Sequence, residues 1–282
     1  MRLTVVGCAG SFPGPRSAAS CYLVQAEDAE ARTWNLLLDL GSGALGPLQH
    51  HVDPAELDAV ALSHLHPDHM ADLCGLYVYL RYRPADPHGS ASVGPGRRGA
   101  GGRVGARRGP LPVYGPFGTS SRLAEAYGLD PGESMAEQLV VHTWQAGYPV
   151  QVGPLTVTPL AVRHPVPAYG IRVQGPAEGD PTRRVTLGYT GDTDACPGLD
   201  ELAEGADALL AEASFVEGRD DAYRGIHLTG RRAGEAAERG GSGALVLTHI
   251  PAWNNPDVAL AEAREAYGGP VALAVPGLIL AL

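Results

Sequence analysis

Apolar residues occur in short runs along the first half of the chain, and each run has the length of a strand. Turn-forming residues or polar residues separate these runs. The predicted strands cover residues 3–6, 20–25, 33–39 and 57–62. The last run leads directly into the sequence SHLHPDHM, and an amphipathic helix is predicted over residues 71–82.

The rest of the chain alternates strands with helices. Strands are predicted at residues 111–114, 150–162 as a pair, 184–189, 208–212 and 244–248. Helices are predicted at residues 119–127, 229–239 and 256–267. Thr119 or Ser120 is the expected cap of the first helix and Thr229 that of the second, because hydroxyl side chains accept hydrogen bonds from the free N–H groups of a helix start. The pattern predicts an α/β fold, a four-layer αββα sandwich.

Residues 84–110 differ from everything around them. The segment is rich in Arg and Gly and has no periodic apolar pattern. Such a composition does not provide a packed face, so we predict a flexible insertion within one domain that spans residues 1–282.

Composition limits the classes of function. The 282 residues carry a net charge of −10, which argues against a general nucleic-acid binder, because a phosphate backbone needs a basic surface. The apolar stretch at the N-terminus is too short for a signal-peptide core, and the apolar C-terminal run is too short to span a bilayer. The cysteines are scattered, at Cys8, Cys21, Cys74 and Cys196. We expect a cytoplasmic protein in a reducing compartment.

The strongest chemical signal is the motif His64-Leu65-His66-Pro67-Asp68-His69. Imidazole and carboxylate groups are the usual ligands of zinc and similar divalent ions. Because proline disrupts a helix interior, Pro67 is expected to exclude a regular helix through the motif. The alternative is a polar loop that is rich in histidine.

This motif resembles the HxHxDH signature of the metallo-β-lactamase superfamily, and later motifs match in order over nearly the whole chain. RHPVPAYGIRV, GYTGDTD and LVLTHIPA resemble the segments that supply the family's remaining ligands. The resemblance implies one ion on His64, His66, His164 and Asp192, and a second on Asp68, His69, Asp192 and His249. The alternatives are structural histidines at positions 164 and 249 and a helix cap at position 192.

Two further segments resemble the phosphodiesterase branch of the superfamily, which includes the tRNA 3′-processing endonucleases. AEASFVE and GIHLTG match motifs in which a glutamate orients a histidine that contacts the scissile phosphate. By this resemblance the pair is Glu212 and His227. The alternatives are a surface or capping carboxylate and a histidine that only flanks a helix. The interval between His164 and Asp192 is too short for the long Gly-rich arm that the tRNA-processing enzymes carry there.

The whole pattern is most similar to atypical bacterial cyclic-nucleotide phosphodiesterases. The resemblance implies two divalent metal ions, zinc or else manganese, which lower the pKa of bound water toward ~7. The expected catalytic residues are Asp68, which accepts a proton, and His227 oriented by Glu212. The expected partner is a small phosphodiester, with no nucleic acid and no membrane, and a homodimer is compatible with the sequence. Rival functions are an RNA 3′-end endonuclease, a lactone or thioester hydrolase, and a catalytically silent binding protein.

Overall fold

The computed structural model describes residues 1–84 and 109–282. The predicted insertion at residues 84–110 therefore lies outside the described residues, except for its first residue and its last two. Up to the insertion the elements are β1 (Arg2–Gly7), β2 (Ala9–Gly10), β3 (Cys21–Glu27), β4 (Thr33–Leu38), α1 (Leu45–Leu48), a 3-10 turn (Pro54–Glu56), β5 (Ala59–Ala61), α2 (Pro67–Met70) and α3 (Leu73–Tyr82).

The chain after the insertion continues the alternation. Its first elements are β6 (Leu111–Gly115), α4 (Thr119–Tyr127), β7 (Leu139–Thr143), β8 (Val150–Val152), β9 (Leu155–Ala161), β10 (Tyr169–Ala177) and β11 (Asp180–Tyr189). The remaining elements are α5 (Pro197–Ala203), β12 (Ala208–Glu212), α6 (Gly230–Gly240), β13 (Leu245–Thr248), β14 (Ile250–Pro251), α7 (Pro256–Ala266), β15 (Val271–Leu273) and β16 (Ile279–Ala281).

The described strands form two seven-stranded sheets and one short pair. The first sheet has the order β16-β1-β3-β4-β5-β6-β7 and the second the order β15-β13-β12-β11-β10-β9-β8, while β14 pairs with β2. In each sheet one half is antiparallel and the other, β4 to β7 or β11 to β15, is parallel.

Three apolar layers show why these sequences form a sandwich. On β3, Tyr22 and Val24 belong to the layer between the two sheets, whereas Cys21 and Leu23 face the helices α1, α3 and α4. Side chains alternate along a strand, so strands that are covered on both faces have continuous apolar sequences. A third layer packs the second sheet against α5, α6 and α7. The predicted αββα sandwich is confirmed.

Most of the predicted elements are confirmed to within two or three residues, but β11 begins at Asp180 rather than at residue 184, and one helix start also differs. Thr119 is the first residue of α4 rather than its cap, and Ser120 is its second. The cap position is Gly118, whose φ of 92° favours glycine. The hydroxyl of Thr119 donates to the carbonyl of Pro116 at 2.7 Å, so it does not cap the helix. Thr229 does cap α6, accepting from the N–H of Arg232.

Candidate metal centre

Strand ends bring the predicted site residues to one edge of the sandwich. In the first sheet Asp39 follows β4, and the histidine motif follows the parallel strand β5. In the second sheet Asp192 follows β11, Glu212 ends β12, and His249 follows β13, all parallel. The carboxyl ends of parallel strands meet at one sheet edge, which is where α/β folds place their sites.

The histidine motif changes conformation at its proline. His66 is extended, and Pro67 is the first residue of α2, the helix position that proline favours because its missing N–H has no intrahelical partner there. The expectation of no helix therefore holds only up to His66. Asp68 and His69 lie in this short helix, which turns both side chains inward, where they are buried.

The first group of ligand-type side chains consists of His64, His66, His164 and Asp192, whose ligand atoms lie within 4.8 Å of one another. His66 Nδ1 is 3.0 Å from His64 Nε2 and 3.3 Å from His164 Nε2. Burial and then the neighbouring His69 hold the pKa of His64 well below its usual range, and burial also lowers the pKa of His164. Neutral imidazoles have the lone pair that a metal ion needs.

The second group consists of Asp68, His69, Asp192 and His249, again within 4.8 Å. Nε2 of His69 lies 3.2 Å from Asp192 Oδ1, and Nε2 of His249 lies 3.2 Å from Asp192 Oδ2. Nε2 of both histidines and Oδ1 of Asp192 are buried and have no hydrogen-bond partner within the described residues. Buried polar atoms are seldom left unpaired, so the donor set fits a cation.

Asp192 belongs to both groups, as a bridging carboxylate would. Although burial raises its pKa, the charges of His249 and His69 hold the pKa of Asp192 well below its usual range. The capping alternative is excluded, because α5 begins at Pro197 and its cap position is Cys196.

The far nitrogens of the ligand histidines are held by other parts of the fold. Nδ1 of His69 donates to Asp39 Oδ2 at 2.7 Å, and Nδ1 of His164 donates to the carbonyl oxygen of Ile226 at 2.9 Å. His249 Nδ1 lies 3.0 Å from the hydroxyl of Ser20. Such contacts fix the ring orientation and direct Nε2 toward the metal position.

Asp39 is a site residue that sequence reasoning missed. It is completely buried and also accepts hydrogen bonds from the backbone of Ser63 and the hydroxyl of Tyr189, at 2.7 and 2.6 Å. Its φ is 57°, an uncommon value for a residue other than glycine. The available signal was a lone carboxylate at a strand end in LLLDLG.

The buried Glu212 and the half-buried His227 form a pair beside the two groups. His227 Nδ1 donates to Glu212 Oε1 at 2.8 Å and lies 3.9 Å from Asp192 Oδ2. Glu212 is completely buried and also accepts from the backbone N–H groups of Thr193 and Ser214. Although burial opposes protonation, the Glu212 carboxylate raises the pKa of His227 to about 9. Glu212 is thus neither a surface nor a capping carboxylate.

The loop that carries His227 is fastened by a buried arginine. Arg232 on α6 contacts Asp194 and Asp221 at 3.3 Å and Glu217 at 3.6 Å. Asp194, two residues after the shared Asp192, also accepts from the backbone N–H of Gly225 at 2.7 Å. This network joins the His227 loop to the segment that carries Asp192, and the sequence did not single it out.

The remaining histidines of the described chain lie apart from these groups. His50, His51 and His142 are exposed and belong to none of the ligand groups. Tyr169 packs against the core between the sheets. The four cysteines are unpaired.

Buried histidines and carboxylates around one shared aspartate define the class of a metal-dependent hydrolase. Comparison with known proteins gives the family. A family model for the metallo-beta-lactamase superfamily matches residues 14–130, and one for the beta-lactamase superfamily domain matches residues 98–250. The chain belongs to the metallo-β-lactamase superfamily.

This chain is similar to three relatives over most of the length of each. Rv1339 of Mycobacterium tuberculosis is 39% identical over 273 residues, covering 96% of this chain and 88% of the relative. YhfI of Bacillus subtilis, a probable metallo-hydrolase, is 30% identical and covers 99% of both chains. Ribonuclease Z of Mycobacterium bovis is 30% identical, covering 89% of this chain and 87% of the relative. The crystal structure of YhfI superimposes with a TM-score of 0.77 over 99% of this chain and 98% of that one.

Among the described residues, the helices are all too short or too polar to cross a membrane.

Proposed function

We propose that this chain hydrolyses phosphodiesters and that its substrate is a 3′,5′-cyclic nucleotide. The proposal depends on one observation, the contact between His227 and Glu212 beside the shared Asp192. Because Glu212 occupies Nδ1, the other ring nitrogen of His227 is free to contact substrate. In the metal-free protein, although burial opposes protonation, Glu212 raises the pKa of His227 to about 9, so its imidazole is a cation at neutral pH.

A fixed cation suits a phosphoryl group, which gains negative charge as it reacts and then loses an alkoxide. His227 stabilises that charge and gives its proton to the leaving oxygen, while Glu212 keeps the ring in place. Asp68, whose Oδ2 lies 3.5 and 3.6 Å from Nε2 of His69 and His249, accepts the proton of the attacking water. The seven ligand-type residues would hold two divalent ions, which would lower the pKa of a bound water and supply positive charge for the phosphoryl oxygens. Zinc is the expected metal and manganese the alternative.

The rival functions differ in substrate. The relative named ribonuclease Z supports a phosphate ester as the reacting group, but a net charge of −10 disfavours a long RNA. The residues between His164 and Asp192 form only the β10–β11 hairpin and its flanking turns, with no added arm. A lactone or thioester hydrolase has no phosphate to engage the His227 cation.

A panel of substrates tests the proposal. Purified protein reloaded with Zn²⁺ or Mn²⁺ is assayed on cAMP, cGMP, bis-p-nitrophenyl phosphate, a tRNA precursor and a lactone. We expect release of nucleoside monophosphate from a cyclic nucleotide, with kcat/KM well above that for the lactone. Cleavage of the tRNA precursor or the lactone with no turnover of either cyclic nucleotide would refute the cyclic-nucleotide assignment.

A further inference from the structure

A cavity that opens beside His227 is lined by aromatic side chains that the metal groups do not use. Phe215 and Tyr223 come from the loop before α6, and Trp253 comes from the turn after β14. Phe215 packs edge-on against the His227 ring with their centroids 5.0 Å apart. Trp253 packs against Phe12 with the two rings tilted by 43°, again with centroids 5.0 Å apart. Aromatic rings from separate segments of the chain therefore converge next to the proposed proton donor.

Two of these aromatic rings are largely exposed, whereas Phe215 is half-buried. Trp253 has 64% of its surface exposed and Tyr223 59%. Exposed aromatic groups gathered in one concave site mark a binding surface rather than core packing. The position beside His227 implies that the bound group belongs to the molecule whose phosphate reacts.

Polar contacts hold the two sides of the cavity together. Arg219 Nη1 donates to the side-chain oxygen of Asn254 at 2.9 Å, and Asn254 Nδ2 donates to the carbonyl of Ser214 at 2.7 Å. These bonds join the loop before α6 to the turn after β14. The aromatic walls are thereby fixed before substrate arrives, which reduces the entropy lost on binding.

The charge of the cavity argues against a second phosphate. Its arginine, Arg219, is paired with Asp220 at 2.6 Å, and Asp220 also lines the space. The volume is about 320 Å³, at the small end of ~300–1,000 Å³ ligand sites. An aromatic-walled space of this size with its ion pair internally satisfied suits one flat, uncharged ring system.

We infer that the cavity bounded by Phe215, Tyr223 and Trp253 is a nucleobase subsite, which binds the base of the substrate by stacking. This inference rests on the proposed function and adds how the nucleoside is recognised. Stacking on aromatic rings tolerates any base, because every base has a π-face. The subsite therefore selects nucleotides over other phosphodiesters while discriminating little between purines.

Steady-state kinetics of Trp253→Ala test the subsite. The assay compares cAMP with 1-deoxyribose 3′,5′-cyclic phosphate, which has the same ring and phosphate but no base. A stacking contact of about 1–3 kcal/mol corresponds to a rise in KM for cAMP of roughly 5- to 160-fold. We expect that rise with kcat nearly unchanged, no change for the base-free substrate, and near-complete recovery in Trp253→Phe. Tyr223→Ala gives a second variant with the same expected pattern.

Tyr148→Ala is the matched control, because Tyr148 is equally exposed, at 62%, and lines none of the described cavities. It should leave every parameter unchanged. An equal KM for cAMP in the parent, Trp253→Ala and Tyr223→Ala overturns the subsite while the proposed function stands.

A binding measurement distinguishes failure of the subsite from failure of the proposed function. Trp253 is far more exposed than Trp144, at 5%, and Trp34 is half-buried. Titration with 5′-AMP should quench the tryptophan emission of the parent but not that of Trp253→Phe. Quenching in a protein that does not hydrolyse cAMP supports the subsite and refutes the cyclic-nucleotide function. No quenching in the parent overturns the subsite, whatever the panel shows.

Discussion

Replacement of His227 by alanine tests the chemistry of the site most directly. His227 belongs to neither of the two four-residue groups that share Asp192, so His227→Ala should retain both ions and the fold. The lost proton donor should lower kcat for cAMP by ~10²–10⁴-fold, the range for a positioned acid. A p-nitrophenolate leaving group needs little protonation, so bis-p-nitrophenyl phosphate should lose much less.

The stability cost of this substitution comes from Glu212. The carboxylate loses its bond to His227 but keeps the N–H groups of Thr193 and Ser214. A buried acceptor that loses one partner costs about 1–3 kcal/mol, measurable by denaturant unfolding. Glu212→Gln should show the same leaving-group pattern more weakly, because the amide still accepts from the imidazole.

Two results would refute this reasoning. His227, Asp192 and Glu212 form a third group of ligand-type side chains, whose ligand atoms lie within 4.8 Å of one another. Loss of metal from His227→Ala, measured by elemental analysis, would make His227 a ligand. Unchanged kcat on every phosphodiester would remove the observation on which the phosphodiesterase proposal depends.

Four further predictions follow from the site. Elemental analysis after reloading should give about two divalent ions per chain, and chelation should abolish turnover. Asp39→Asn should weaken metal affinity by ~10–100-fold, because it supports His69 from outside the ligand set. Replacing residues 84–110 with a short Gly/Ser linker should leave turnover of a small phosphodiester within a few-fold. In the metal-free protein, burial opposes but Glu212 raises the pKa of His227 to about 9. The free energy of unfolding of the parent should therefore exceed that of Glu212→Gln by the largest amount below pH ~6.5. This difference should shrink as the pH rises through ~9.

The sequence predicted the fold well because its strands are covered on both faces. The run Leu36-Leu37-Leu38 is apolar throughout, and its residues alternate between the two layers that β4 contacts. Strand boundaries followed from the turns, whereas the start of α4 did not. A cap depends on backbone conformation, and the positive φ of Gly118 is not visible in the spacing of Thr119 and Ser120.

The same contrast explains which parts of the site the sequence predicted. Residues that can bind a metal seldom occur this close together in a sequence, so the motif from His64 to His69 could be recognised without a structure. Asp39, Ser20 and Tyr189 are ordinary residues in sequence, and only the pairing of β4 with β5 and the packing of the two sheets bring them to the ligand histidines.

The aromatic cavity depends on contacts that are still more distant in sequence. Trp253 reaches the His227 loop because β14 pairs with β2 and Asn254 links the turn to Ser214. Alternation of apolar residues carries no information about such a juxtaposition, since an exposed aromatic in a turn has no period. The candidate metal ligands therefore indicate a metallo-hydrolase from sequence, whereas the group on which the proposed reaction acts depends on loops whose side chains meet only in the folded chain.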